Sequence, residues 1–269
     1  MNYGVIQPPE QLADYVRFFW FVEGNQPYIH HAFAYPCPEL IFCYKGYFRY
    51  GIRHNEDRAM SAGVFGQTET FSRVTLSNND FGILGAYLYP HAFPQLFRLP
   101  AAEITNQALD MKTLCGKDGE MLEEKIMLAA NNGQRVKLIC DFLKLRLKNI
   151  RSEYSGICSV IKAVSKLYTE TSVLSLAENN FLSLRQFERR FKELSGFRPK
   201  LFLQIARFNS LLNKPFQEKS LTELAYQHGY YDPAHFTHDF RRFSNRNPKE
   251  YFNEQTITAM NRGTVEFGK

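Results

Sequence analysis

A repeat in the last third of the chain most constrains how this sequence can fold. Leu176-Ala177 recurs as Leu224-Ala225, and a second block recurs one residue further along. In that block Phe187, Phe191, Pro199, Lys200 and Phe202 return as Phe236, Phe240, Pro248, Lys249 and Tyr251. An internal repeat indicates two copies of one supersecondary unit, and the change in spacing between the blocks falls where a turn is expected.

Each copy carries the signals of a short helix, a tight turn and a second helix. Residues 183–186 (Ser-Leu-Arg-Gln) and 220–223 (Ser-Leu-Thr-Glu) fit the capping box that opens a helix. Asp232 followed by Pro233 predicts an N-cap with proline in the first helical position, where its missing N–H costs nothing. Gly229 suits the positive-φ turn between the two helices of the second unit. Two helix-turn-helix units are therefore predicted.

The period of each second helix then fixes which side chains point outward, because the Phe pairs at i and i+4 face the core. Arginine pairs with guanine O6 and N7 and glutamate accepts from cytosine N4, so the outward faces are candidates for reading bases in a major groove. The candidate base-reading residues are Arg185, Glu188 and Arg189 in the first unit and Ala234, Thr237 and His238 in the second. The candidate phosphate contacts are Lys192, Arg241 and Arg242.

The distribution of charge agrees with a polyanion-binding C-terminal part. Residues 1–154 hold 16 Lys and Arg against 16 Asp and Glu, whereas residues 155–269 hold 17 against 11. The whole formal net charge of +6 therefore belongs to the C-terminal part. A basic module joined to a neutral one is typical of a nucleic-acid-binding domain attached to a second domain.

The first hundred residues predict a β-rich domain. Short aromatic and β-branched runs such as residues 39–44 and 81–90 alternate with Gly, Pro and Asn, which is typical of a sandwich or barrel. Helical periodicity begins near Gly119 and predicts two helices separated by residues 131–133. The polar stretch 149–156 is the candidate linker.

The motif of the first unit, Ser-x-Arg-x-Phe-x-Arg-x-Phe-Lys followed by Gly196 and Pro199, resembles the DNA-binding domain of the AraC/XylS family. The second unit resembles the other half of that domain over residues 224–248, so the match spans roughly 157–252. The resemblance implies two helix-turn-helix units joined by a long helix, here about Leu201 to Leu212, and base-reading roles for the residues named above. Phe181 stands at the position that corresponds to Gly229, and Asn245 stands where the family has Gly.

The N-terminal part is similar to a cupin-like domain found ahead of such DNA-binding domains, on the segments 36–42, 66–67, 99–105 and 114–116. The fold class expected is therefore multidomain α+β, with a cupin-like β-barrel and following helices before an all-α domain. We expect a regulatory, effector-binding or dimerisation domain at 1–154, a DNA-binding domain at 155–257 and a tail at 258–269. The resemblance implies double-stranded DNA as partner, with RNA polymerase, a small-molecule effector and a second copy of the chain as further expected partners.

Two other classes of function remain as alternatives. A metal-dependent cupin enzyme needs converging ligands, and His30-His31 with Glu39 is the candidate set, although adjacent strand residues point to opposite faces. His235 and His238 are one helical turn apart and are a further candidate pair of metal ligands. The second alternative is a non-catalytic adaptor that binds protein. The chain has five cysteines without a C-x-x-C pair, no signal peptide and no long apolar run. These features favour a reduced, cytoplasmic protein without a membrane span. No enzyme motif or cofactor site is found in the sequence.

Overall fold

A computed structural model of the chain describes residues 1–26, 28–52, 55–76, 80–147, 155–166, 168, 171–212 and 220–255. The expected tail at 258–269 and most of the expected linker at 149–156 lie outside the described residues, as does the expected boundary between 154 and 155 on its N-terminal side.

The N-terminal half consists of β-strands followed by short helices. Its described strands are β1 Asn2–Ile6, β2 Val16–Gly24, β3 Tyr28–Ala32, β4 Glu39–Lys45, β5 Phe48–Ile52, β6 Asn55–Met60, β7 Ala62–Phe65, β8 Ser72–Leu76, β9 Phe81–Leu88 and β10 Ala108–Asp110. Its described helices are α1 Ala92–Phe97, α2 Met111–Cys115, α3 Lys117–Leu128 and α4 Asn132–Leu147, with 3-10 turns at Glu10–Leu12 and Ala101–Ile104.

These strands form two antiparallel sheets, which corrects the expectation of a β-barrel. The larger sheet has the order β1-β2-β9-β4-β7-β10 and the smaller has the order β3-β8-β5-β6. Within the described residues no strand pairs across from one sheet to the other, so the sheets do not close into a barrel. They are in contact through apolar side chains, since the ring centroids of Phe48 and Phe65 are 5.3 Å apart. The multidomain α+β class is confirmed.

Strand β4 lies at the centre of the N-terminal core because it is covered on both faces. Leu40 and Phe42 pack into a cluster that includes residues of α1, α3 and α4. Ile41 and Cys43 point the other way and pack with Phe48 of the smaller sheet. The period-2 alternation of a strand therefore places the helices on one face of the larger sheet and the smaller sheet on the other.

The C-terminal part is all-helical in its described residues. Its helices are α5 Ser155–Lys166, α6 Val173–Asn179, α7 Leu184–Ser195, α8 Pro199–Leu212, α9 Leu221–Gln227, α10 Pro233–Ser244 and α11 Pro248–Gln255. Helices α6 and α7 form the first helix-turn-helix unit, and α9 and α10 form the second. The predicted connecting helix is α8, which starts two residues earlier than expected because Pro199 occupies its first position.

The apolar core of this helical part includes two buried residues of the N-terminal half, Phe33 and Ala34. Phe33 is buried, with its ring centroid 6.2 Å from that of Phe208 and 5.6 Å from that of Tyr251. The backbone N–H of Ala34 donates to the carbonyl of Phe243 at 2.9 Å. The two halves of the chain are therefore packed together rather than merely linked.

Candidate nucleic-acid interface

The second helix of the first unit, α7, begins and ends where the sequence predicts. The Ser183 hydroxyl accepts from the Gln186 N–H at 3.4 Å, and the Gln186 side chain accepts from the Ser183 N–H at 3.2 Å, so the capping box is formed. Gly196 ends the helix with φ +81°, and its N–H donates to the Lys192 carbonyl at 2.8 Å. Backbone groups at both ends of α7 therefore have hydrogen-bond partners close in the sequence, and these partners fix where the helix begins and ends.

The outward face of α7 is free. Phe187 and Phe191 are buried, with their ring centroids 5.5 Å apart. The opposite face carries Arg185, Glu188, Arg189 and Lys192, all exposed and without a side-chain hydrogen bond or salt bridge to any described residue. The structure thus brings the three predicted base-reading residues of this unit together on one helical face, with the predicted phosphate ligand one turn further along.

The corresponding face of α10 is smaller and already engaged within the protein. Asp232 caps the helix, its side chain accepting from the Ala234 N–H at 2.8 Å. Ala234 and His238 are exposed, but Thr237 is half-buried and its hydroxyl donates to the Pro233 carbonyl at 2.9 Å. The three residues share one face as predicted, and only His238 projects a polar side chain from it, with its Nδ1 3.7 Å from the carboxylate of Asp239.

The turns of the two units have the same backbone geometry with different residues. Gly229 has φ +72°, as the sequence predicts, and Phe181 at the corresponding position has φ +54°. The helix ends correspond in the same way, since Gly196 has φ +81° and Asn245 has φ +55°. The left-handed conformation is thus a property of the repeated unit. Phe181 adopts this conformation although it lacks the conformational freedom of glycine.

Arg207 of α8 holds the second unit from inside, a role that the sequence reading missed. Its guanidinium donates to the Gly229 carbonyl at 3.0 Å and to Asp239 at 3.3 Å, and it lies 3.9 Å from the ring centroid of Tyr230. Asp239, on α10, is buried, and His235 also contacts it at 3.5 Å. One residue on the connecting helix therefore fixes both the turn and the recognition helix. The repeat itself held no signal for it, because the first unit has no equivalent pair in the sequence.

The predicted phosphate ligands of the second unit differ in their surroundings. Arg241 and Arg242 are both exposed in the last turn of α10. Arg242 lies 3.7 Å from the carboxylate of Glu69, a residue of the N-terminal half. This cation is therefore paired across the domain contact, which sequence reasoning did not predict.

Glu69 belongs to a short segment, residues 66–69, that contacts both units and that we call the bridging segment. At one end the Gln67 amide donates to the Thr105 hydroxyl at 2.7 Å, and that hydroxyl donates to the Gly196 carbonyl at 3.3 Å. A Cβ on Gly196 would lie 1.6 Å from the Gln67 amide nitrogen, so only glycine permits this approach. Both recognition helices are therefore held at their C-terminal ends. The cupin-like resemblance at 66–67 and 99–105 marked these segments without indicating their role.

The side chains of the candidate metal ligands His30 and His31 lie outside what the structure describes, and the described residues contain no cluster of three or more His, Cys, Asp or Glu placed to hold an ion. Glu39 accepts a hydrogen bond from the Trp20 indole, and burial raises its pKa to about 8. It is therefore mostly a neutral acid near pH 7. His235 and His238 flank Asp239 on α10, and no third ligand joins them.

Two capped recognition helices joined by a rigid helix, one with a free cationic face, define a DNA-binding protein with paired helix-turn-helix units. A family model described as a helix-turn-helix domain matches residues 176–254, and a second, described as a domain of unknown function, matches residues 5–110. The C-terminal part contains an AraC-type helix-turn-helix domain, and the chain is a DNA-binding transcription regulator.

Three solved structures illustrate the likeness. The chain is similar to the apo form of a ToxT variant from Vibrio cholerae, with 12% identity over 88% of this chain and 96% of that chain and a TM-score of 0.47. ToxT bound to an unsaturated fatty acid matches with 12% identity over 93% and 94% and a TM-score of 0.44. The DNA-binding domain of AdpA in complex with a target DNA matches with 26% identity over 39% and 97% and a TM-score of 0.34. The comparison with curated proteins found no match.

No helix within the described part of the chain is long and apolar enough to cross a membrane.

Proposed function

We propose that the first unit reads DNA bases through Arg185, Glu188 and Arg189, and that this unit carries most of the sequence specificity. The observation that supports it is the free face of α7, where three side chains with base-pairing chemistry are exposed together and have no partner among the described residues. Each arginine can make two hydrogen bonds to one guanine, and a glutamate accepts from cytosine. Ala234, Thr237 and His238 read bases in the second unit with weaker chemistry.

Lys192, Arg241 and Arg242 contact phosphates on either side of the bases that are read. Their place at or beyond the middle of each recognition helix puts them nearer the backbone than the groove floor. With two units in successive major grooves, the two contact regions lie about 34 Å apart along the duplex. The domain that does this spans residues 155–257, after a regulatory domain at 1–154.

The experiment that tests this proposal is binding-site selection with the full-length protein, followed by titrations of the selected DNA at several salt concentrations. We expect a bipartite motif with stronger base preference in one half, and a log K against log salt slope that is shallower by about 1 for Lys192→Ala than for the wild type. Lys117→Ala, on an exposed lysine of α3, is the matched control and leaves the slope unchanged. Equal preference in both halves, or no change of slope for Lys192→Ala, contradicts the assignment.

The N-terminal domain makes the regulator responsive to a small-molecule effector, with RNA polymerase and a second copy of the chain as further partners. The protein acts in the cytoplasm, where its DNA is, and has no enzymatic step of its own. The contact of both recognition helices with the N-terminal half supports this role, because a conformational change in that half would alter the position of these helices directly. Footprinting of the chain on chromosomal DNA would also identify the genes it controls.

A further inference from the structure

We infer that the first unit also reads thymine, through an apolar contact of Phe181 and Leu184 with the C5-methyl group of that base. The inference rests on the proposed base-reading role of α7 and adds a contact of different chemistry to it. The polar side chains assigned to that face recognise guanine and cytosine. Thymine presents a methyl group in the major groove, and apolar side chains, phenylalanine among them, recognise it by contact.

The turn of each unit carries an aromatic residue with almost no cover. Phe181 and Tyr231 are the two most exposed aromatic residues in the described part of the chain, each 95% exposed. Phe181 lies two residues before the Ser183 cap of α7, and Tyr231 lies directly before the Asp232 cap of α10. Exposed aromatics in both turns indicate one partner that covers both, and the surface that both recognition helices approach is DNA.

Phe181 lowers the stability of the fold in two ways. Its φ of +54° is in the left-handed region, where the second unit has Gly229 at the corresponding position. Its ring also buries very little surface within the described protein. Stability alone would favour glycine or asparagine in this turn. A strained residue whose side chain does not support the fold is a candidate for a role outside it, and a phenyl ring offers an apolar contact.

Leu184 continues this apolar surface onto the recognition helix. It is the first residue of α7 and is 43% exposed. It precedes Glu188 by four residues, so the two side chains lie on the same helical face. Leu184 and, three residues before it, Phe181 form what we call the apolar end of the reading face. The opposite end of the same helix is cationic, because Lys192 lies in its last turn.

The direction in which a recognition helix enters DNA determines what the apolar end meets. The second helix of a helix-turn-helix unit contacts base edges with its N-terminal residues. Leu184 and the turn before it lie at that end of α7. The apolar end is therefore near the bases, where a thymine methyl group can bury it. The charged phosphates offer an apolar ring no comparable partner.

The test uses the full-length protein and the duplex that the wild type selects. Each thymine is replaced in turn by deoxyuridine, which removes the methyl group and keeps the base pairing. The half-site of the first unit is the one where Arg185→Ala relaxes the selected motif. We expect at least one replacement there to weaken wild-type binding about threefold to fivefold, the effect of burying one methyl group. No effect of uracil in that half-site, or a half-site without thymine, overturns the proposal.

Two variants assign the methyl contact to the apolar end. Phe181→Gly introduces the residue that the second unit has at the corresponding position, so we expect it to fold. It should weaken binding to the thymine duplex about threefold to fivefold and prefer thymine over uracil by less than about twofold. Leu184→Ala should lower the same preference. Leu128→Ala is the matched control, since Leu128 is a 79% exposed leucine at the end of α3, and it should leave binding unchanged.

Other positions of the ring give other results. If Phe181→Gly weakens binding but keeps the full preference for thymine, the ring contacts the sugar and the proposal is overturned. Unchanged DNA binding by Phe181→Gly also overturns it, because the partner of the ring is then a protein surface.

Salt dependence separates this contact from the phosphate contacts. An apolar contact releases no counterions, so Phe181→Gly should keep the wild-type slope of log K against log salt, unlike Lys192→Ala. A shallower slope for Phe181→Gly would mean that α7 has left the backbone, which overturns a local methyl contact. Failure of the proposed function is recognised separately, because Arg185→Ala would then leave the selected motif unchanged. Retained thymine preference in Phe181→Gly, with the Arg185→Ala effect present, counts against the thymine contact alone.

Discussion

The two helix-turn-helix units have the same backbone conformation, but they differ in their contacts with the rest of the protein and in the side chains that they expose. The first unit exposes two arginines, a glutamate and a lysine on α7, and none of these side chains forms a hydrogen bond or salt bridge with a described residue. The second exposes an alanine and a histidine on α10, and the carboxylate of its Asp239 is turned inward to Arg207. A repeated fold therefore does not imply repeated function, because the outward residues diverge while the inward Phe pairs persist.

The first prediction concerns the internal support of the second unit and has the largest expected effect. Arg207→Ala removes one partner of a buried ion pair and leaves the buried Asp239 carboxylate without its guanidinium, which costs about 3–5 kcal/mol in the free energy of unfolding. Urea denaturation measures this loss of stability. We also expect α10 to lose its DNA contacts when the support from Arg207 is removed. Arg198→Ala is the control, since Arg198 is exposed just before the same helix. A loss below 1 kcal/mol would mean that the turn and helix hold each other without Arg207.

The second prediction compares the reading faces directly. Arg185→Ala and Arg189→Ala should each lose about 1–3 kcal/mol of affinity for the preferred site and relax base preference there, since each removes a bidentate contact. Thr237→Ala should have a smaller effect because its hydroxyl already donates to the Pro233 carbonyl. Site selection with each variant is the measurement. If Thr237→Ala or His238→Ala scrambles the motif while Arg189→Ala leaves it intact, the second unit leads recognition and the comparison is reversed.

The sequence predicted the repeated backbone in detail because its signals are local. The Ser183 cap, the Asp232 cap and the turn at Gly229 depend on residues within a few positions of each other, and each is confirmed. The reading faces followed from the same helical period. Their role in DNA recognition stays a prediction.

The contacts between distant segments could not be predicted in the same way. Arg207 with Asp239, and Glu69 with Arg242, are pairs of ordinary charged residues whose meeting depends on how whole helices and domains pack. The expectation of a β-barrel instead of two open sheets was wrong for a related reason, because period-2 strands indicate sheets but not whether the outer strands pair. Phe33 reads as part of the β-domain, yet it packs in the helical core.

The third prediction concerns the turns and is smaller. Gly229→Ala should cost about 1–2 kcal/mol, because the Cβ of alanine is strained at φ +72°. Phe181→Asn should gain about 0.5–1 kcal/mol, because Phe181 is 95% exposed, buries little and is strained at φ +54°, a conformation that asparagine tolerates. Urea midpoints of the two variants against the wild type give both values. Changes of opposite sign in the free energy of unfolding would support the equivalence of the two turns. A loss of stability with Phe181→Asn would show that the phenylalanine has a packing role.

The fourth prediction has the smallest expected effect and concerns the domain contact at the second unit. Glu69→Gln removes the carboxylate 3.7 Å from Arg242 while keeping the shape of the side chain. Arg242 is partly exposed, so the ion pair is worth at most about 1 kcal/mol, and its loss should strengthen DNA binding about two- to threefold by freeing a cation for phosphate. The slope of log K against log salt should steepen slightly at the same time. Glu120→Gln is the matched control, since Glu120 is likewise a half-exposed carboxylate in an ion pair, and its partner Lys112 belongs to the N-terminal half. Weaker DNA binding by Glu69→Gln would mean that the contact orients α10 for recognition instead of holding Arg242 back, and the second unit would then depend on the N-terminal half for its activity.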